Sequence, residues 1–197
     1  MIDHFAANSD LLGFLIVTCI VSQITPGPNN LIVLTAGISD SRRAAVTAWI
    51  AVCVGFPIMV FAVSCLVFLF GDSIVTQLNF VKYLGIGFLV YLAIRLFLAA
   101  PLQTGDRRGK TPGFFAMVAF QWANPKALAM ASSTAIIAGP ELFYLPAAIF
   151  FLTGFPCVGV WLWFGDFLKS RVLGTSFETH LNRVLGILLA ASVLMMI

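Results

Sequence analysis

The sequence predicts an all-α integral membrane protein: six transmembrane helices arranged as two inverted three-helix repeats, N-out and C-out, with the first and fourth helices broken at proline. Three observations predict it. First, the 197 residues are 60% hydrophobic and only 10% charged, whereas soluble domains carry about 25% charged residues. Mean hydropathy is +1.02, and a soluble fold this apolar could not cover its own surface. Second, the apolar residues fall into six continuous runs, not the alternating segments of about 10 residues that a barrel strand needs. Third, the two halves of the chain match at their prolines when one is slid along the other.

The six runs are Leu11–Ile38, Ala44–Phe70, Phe80–Ala100, Gly113–Ala138, Leu142–Phe167 and Leu181–Ile197. A spanning helix needs about 20 apolar residues. The first, second, fourth and fifth runs are long enough to tilt or break. Residues 1 to 10 hold Asp3, His4 and Asp10 and lack a positive n-region, so the first run is expected to be kept as a span. With the N-terminus outside, the inner loops and helix ends collect Arg42, Arg43, Arg95, Arg107, Arg108, Lys110, Lys169, Arg171 and Arg183. Lys82 falls outside and Lys126 within a span. The positive-inside rule therefore selects N-out and C-out. The net charge of +3 reflects these loops and does not suggest a nucleic-acid partner.

The chain reads as one transmembrane domain over residues 1–197, with repeats of about 1–98 and 99–197 joined at the polar stretch "PLQTGDRRGKTPG". A shift of 99 residues brings Pro26 onto Pro125, Gly55-Phe56-Pro57 onto Gly154-Phe155-Pro156, Thr35-Ala36 onto Thr134-Ala135 and Gly87 onto Gly186. Arg42 then falls opposite Glu141, and Asp72 opposite Arg171. Opposite charges at matching loops fit halves that face opposite sides of the membrane.

The first run contains "QITPGPNNLIVL" and the fourth "QWANPKALA". Pro26 and Pro28 remove backbone donors and obstruct the preceding turn. One proline kinks a helix. Two, with Gly27 between them and Asn29 and Asn30 after, predict an unwound segment. Freed backbone groups must be buried in protein or line a wet cavity. A helix that restarts after a break presents unpaired N–H groups and a partial positive charge, which suit an anion such as a carboxylate. The candidate substrate-binding residues are therefore Thr25, Pro26, Gly27, Pro28, Asn29, Asn30, Gln121, Asn124, Pro125 and Lys126.

Lys126 is the ionisable residue deepest in a span. A charge at that depth costs about 2.5–3.5 kcal/mol on insertion scales. It could meet a substrate carboxylate or the carbonyls freed in the first span. Arg95 lies near the inner end of its helix and can snorkel. The glycines of the two "GFP" motifs either kink their helices or permit close packing. Trp161, Trp163 and Tyr144 read as interface anchors. Cys19, Cys53, Cys65 and Cys157 form no CxxC pair and read as small buried hydrophobes.

"TPGPNNLIVL", "NPKAL", "YLGIGFLVYLAIRLF" and "RVLGILLAAS" together resemble the LysE/RhtB superfamily of small bacterial amino-acid exporters, over essentially the whole chain. The turn "SDSRRAAVTA" and the stretch "ALAMASSTAIIAGP" depart from the family's usual glycine-rich turn and aromatic ending. The resemblance implies secondary active export of amino acids or close derivatives across the bacterial inner membrane. Its motif positions carry over to Pro26, Gly27, Pro28 and Asn29 and to Asn124, Pro125 and Lys126. The expectation is a carrier and not an enzyme, with a small-molecule substrate, the lipid bilayer as partner, and no cofactor or metal. A homodimer is one option that the sequence leaves open. Asp40 and Asp166, near the inner surface, are the carboxylates nearest to a proton path. The rival classes are a membrane-embedded enzyme such as a thiol oxidoreductase, which would need a cysteine pair or a Ser/His dyad in the spans, and a passive channel, which would need a continuous polar stripe.

Overall fold

The computed structural model describes residues 2–39, 41–98, 112–172 and 178–194. Among these the chain forms eight α-helices, one 3-10 turn and no strand. They are α1 (Ile2–Ile24), α2 (Pro28–Ser39), α3 (Arg42–Phe70), α4 (Asp72–Phe97), α5 (Phe114–Ala123), α6 (Pro125–Ala138), the turn Pro140–Leu142, α7 (Leu145–Val172) and α8 (Glu178–Leu194). Asp40 and residues 99–111, with most of the polar seam, lie outside the described residues.

Helix α3 and the Leu145–Arg171 part of α7 are each long and apolar enough to cross a membrane. The pair Ser9–Ile24 and Pro28–Ile38 meets the same test jointly, bent by 48° at its break. Gly85–Phe97, Phe114–Ala123 and His180–Leu194 are shorter apolar helices.

Local chemistry accounts for the helix limits. Ser41 starts α3 by accepting a hydrogen bond from the Ala44 N–H, as an N-cap serine does. Gly71 ends it at φ 56°, and α4 begins at the next residue. That left-handed geometry suits a residue without Cβ, so the expected loop before Phe80 is a single-residue hinge. Gly139 ends α6 in the same way at φ 67°. Pro26 and Pro28 cannot donate, and the residues before them avoid the helical region; residues 25–27 are accordingly non-helical. Asn124, held extended at ψ 108° before Pro125, separates α5 from α6.

Three buried clusters hold the helices together. One joins α1, α3, α6 and α7 through Leu15, Cys19, Met59, Val63, Leu128 and Phe150. A second joins α2, α3, α5 and α7 through Val33, Ala48, Val52, Met117 and Val158. A third joins α2, α4 and α8 through Leu34, Leu89 and Leu185. Small residues set the closest crossings. A Cβ at Gly37 would stand 2.9 Å from the Leu162 carbonyl oxygen, and one at Gly186 would stand 2.9 Å from the Phe97 nitrogen. The two "GFP" glycines serve close packing: Gly55 faces Val118 of α5, and Gly154 faces the Gln23 amide of α1. The two breaks lie between the first and second clusters.

Candidate functional site at the two helix breaks

Where α1 stops, successive carbonyls lose their helical donors, and those of Gln23, Ile24, Thr25 and Pro26 find others. Asn30 Nδ2 donates to the carbonyls of Gln23 (2.7 Å) and Thr25 (2.9 Å). Trp161 Nε1 donates to Ile24 at 3.2 Å. Lys126 Nζ donates to Thr25 at 2.7 Å and to Pro26 at 3.0 Å. An unpaired carbonyl in a dry interior costs several kcal/mol. An ammonium at the negative end of a helix is also favourably placed. The half-buried charge and the freed carbonyls therefore satisfy each other. Of the two roles the sequence allows for Lys126, the one with geometry on its side is the bond to the freed carbonyls.

The side-chain amides form a second link. Asn29 Nδ2 donates to Gln121 Oε1 at 2.6 Å, and Asn124 Nδ2 donates to Asn29 Oδ1 at 3.1 Å. Gln121 Nε2 is held by the Met117 carbonyl. Asn124 Oδ1 caps α6 by accepting from the Lys126 and Ala127 N–H groups. Gln121 and Asn124 are 0% and 2% exposed, a depth polar groups reach only when paired. Thus the Asn29 amide at the start of α2 is tied to the Gln121 and Asn124 amides of the α5–α6 break, more than ninety residues away in sequence.

A cavity of about 30 Å³ lies at this junction, room for one or two waters. Its polar wall is Ser22, Gln23, Gly27, Asn29, Asn30, Asn124 and Lys126. Pro28, Phe56, Met130 and Phe150 are among its apolar lining. Phe56 and Phe150 meet edge to face, with centroids 4.8 Å apart. Gly27 is buried against Lys126, where a Cβ would stand 2.8 Å from Cδ. Of the candidate residues, Thr25, Pro26, Gln121 and Pro125 stand behind this lining. Pro125 abuts Gly85 of α4.

The two restarted helices differ at their N-termini. In α6 the first donors are taken by Asn124. In α2 the backbone N–H groups of Asn29 and Asn30 have no acceptor among the described residues.

Gln23 and Trp161 escaped the sequence reading as participants. Gln23, 5% exposed, donates to Thr153 Oγ1 of α7 at 2.6 Å and lines the cavity. Trp161, read as an interface anchor, serves the break instead, because its indole N–H is the donor that reaches Ile24. The signal was the indole itself: inside a span its one donor needs a partner. Trp163 and Tyr144 are exposed on the helix bundle. Asp166 is exposed near the crossing of α2 and α7, away from the break, with its backbone nitrogen close to Gly37.

No curated protein and no solved structure matches this chain. The LysE type translocator family matches it over residues 20–197, a span that includes both breaks and every helix from the end of α1 onward. The chain therefore belongs to the LysE type translocator family, a family of multi-pass membrane transporters.

Proposed function

We propose that this chain exports amino acids or close derivatives across the bacterial inner membrane by secondary active transport, alternating access around a carboxylate site at the two breaks. The observation that carries the reading is the meeting of α1–α2 with α5–α6, where Lys126 and three amides converge beside a cavity. Transporters build midplane sites from broken helices in this manner. The substrate carboxylate would lie at the start of α2, on the unclaimed N–H groups of Asn29 and Asn30, with the Lys126 charge nearby. The start of α6, already capped by Asn124, would position Lys126 and Asn29 instead.

Six spans in two inverted repeats are part of this proposal. Each break splits one span, so the eight helices make six crossings. The packing supports the relation: α1 packs on α7 as α5 packs on α3, and α6 packs on α3 as α2 packs on α7. The 99-residue shift also turns the helices of the first cluster into those of the second. Positive-inside counting supports N-out and C-out. A cavity of about 30 Å³ holds less than an amino acid, which corresponds to a closed site. Rocking one half against the other would part Phe56 from Phe150 and admit the substrate.

The test is uphill transport. Cells expressing the chain are challenged with single amino acids and analogues, and protection identifies the substrate. Inside-out vesicles should then accumulate it above the bath concentration under an imposed proton gradient, and a protonophore should abolish the accumulation. Movement only down the substrate gradient, indifferent to the protonophore, would instead mark a passive pore.

A further inference from the structure

The two halves are not equally closed. Helix α1 packs on α6, but the related pair, α5 and α2, scarcely pack beyond the Asn29–Gln121 bond. Likewise α4 packs closely on α6, with Gly85 against Pro125, and α8 makes only slight contact with α2. The missing contacts fall together. Where they fail, a groove of about 460 Å³ opens, lined by Pro28, Thr35, Tyr91, Arg95, Phe120 and Leu189. That volume is in the range of small-ligand sites. Pro28 lines both this groove and the small cavity at the breaks, so the two spaces share a wall.

Arg95 gives the groove its chemistry. Its Nη1 donates to Tyr91 Oη at 3.0 Å, and its guanidinium lies 5.8 Å from the Tyr91 ring centroid. Tyrosine thereby steadies the fork and leaves further donors for a ligand. A guanidinium matches a carboxylate with two parallel hydrogen bonds. Under the N-out orientation, Arg95 is at the inner end of α4, the side from which an exporter loads.

We propose that this groove is the carrier's inner vestibule, and that Arg95 receives the substrate's α-carboxylate there before it passes Pro28 to the breaks. The proposal rests on the exporter reading above. A lipid phosphate offers Arg95 the same anionic oxygens, so the experiment separates the two sources.

Radiolabelled L-alanine, L-leucine, L-phenylalanine, L-threonine, L-lysine and L-glutamate are offered to vesicles of both orientations, with their α-amides as competitors. For whichever is carried, Arg95→Gln should raise KM at the inner face about tenfold or more. It should leave the maximal rate and the outer-face KM within about twofold, and Arg95→Lys should recover part of the loss. The α-amide should compete poorly with wild type and no worse than the acid with Arg95→Gln. Phe120→Trp, which narrows the groove and keeps Arg95 in the sequence, should also raise the inner-face KM. Equal KM values for wild type and Arg95→Gln would overturn the proposal and leave the exporter reading intact. So would an Arg95→Gln effect that disappears in reconstituted vesicles free of anionic lipid, which would assign the residue to headgroups. A thermal midpoint close to wild type in detergent checks that the variants fold. If wild type carries neither these six nor any amino acid or analogue of the growth panel against the gradient, the exporter reading fails and this proposal falls with it.

Discussion

The ammonium of Lys126 sits 2.7 Å from the carbonyl oxygen of Thr25, a residue 101 positions earlier in the chain. One contact thus joins the two proline breaks, pairing a charge that lipid would reject with carbonyls that lipid could not satisfy.

Removing that charge should damage folding and transport together. Lys126→Met keeps the stem and leaves the Pro26 carbonyl without its donor, while Thr25 retains Asn30. The expected loss of stability is about 1–3 kcal/mol, read as a lower thermal midpoint in detergent, and uptake into inside-out vesicles should fall to background. Full transport by this variant would remove Lys126 from the mechanism.

Gly27→Ala should imitate that variant without substituting the lysine. The added methyl would stand 2.8 Å from Lys126 Cδ and 3.1 Å from Nζ, forcing the side chain off its carbonyls. Because both changes break one interaction, their stability losses should fall short of additive by roughly 0.5–3 kcal/mol in a double-mutant cycle. Strict additivity would mean that the glycine acts elsewhere.

The amide relay makes a separate prediction. Asn29→Leu strands Gln121 Oε1 and the Asn124 Nδ2 donor, and should lower stability by about 1–3 kcal/mol. Adding Gln121→Leu removes one of the stranded groups, so the double variant should regain part of the loss. Asn29→Asp keeps the acceptor but faces Gln121 Oε1 with a second oxygen, and transport should drop even where the protein folds. Unchanged kinetics for Asn29→Asp would argue against a role at the site.

Two glycines matched by the 99-residue shift should respond with opposite signs. Gly87 has open space around a built Cβ, whereas one at Gly186 would stand 2.9 Å from the Phe97 nitrogen and 3.0 Å from the Ala93 carbonyl oxygen. Gly87→Ala should leave stability unchanged or raise it by up to about 1 kcal/mol through helix propensity. Gly186→Ala should lower it by about 1–3 kcal/mol, since the α4–α8 crossing has no slack. Thermal midpoints of the two variants decide it.

By itself the sequence determined the solvent, the helical class and the positions of both breaks. Each follows from local chemistry: continuous apolar runs call for lipid, and Pro26, Pro28 and Pro125 end a helix whatever surrounds them. Legible too was the need of Lys126 and the asparagines for partners, since no group of that kind is stable alone in a dry interior. Who the partners are was decided only in three dimensions. Trp161 reaches Ile24, Gln23 reaches Thr153, and Asn29 bridges Gln121 and Asn124 because α7 packs on α1 and α2 and the α5–α6 break meets the start of α2. Those contacts span ninety or more residues and have no periodic trace along the chain. The capping of α6 by Asn124, the bare donors of α2 and the groove beside Arg95 are likewise products of packing. Hydrogen bonds and voids depend on which surfaces meet, and composition and spacing state only which surfaces are available to do so.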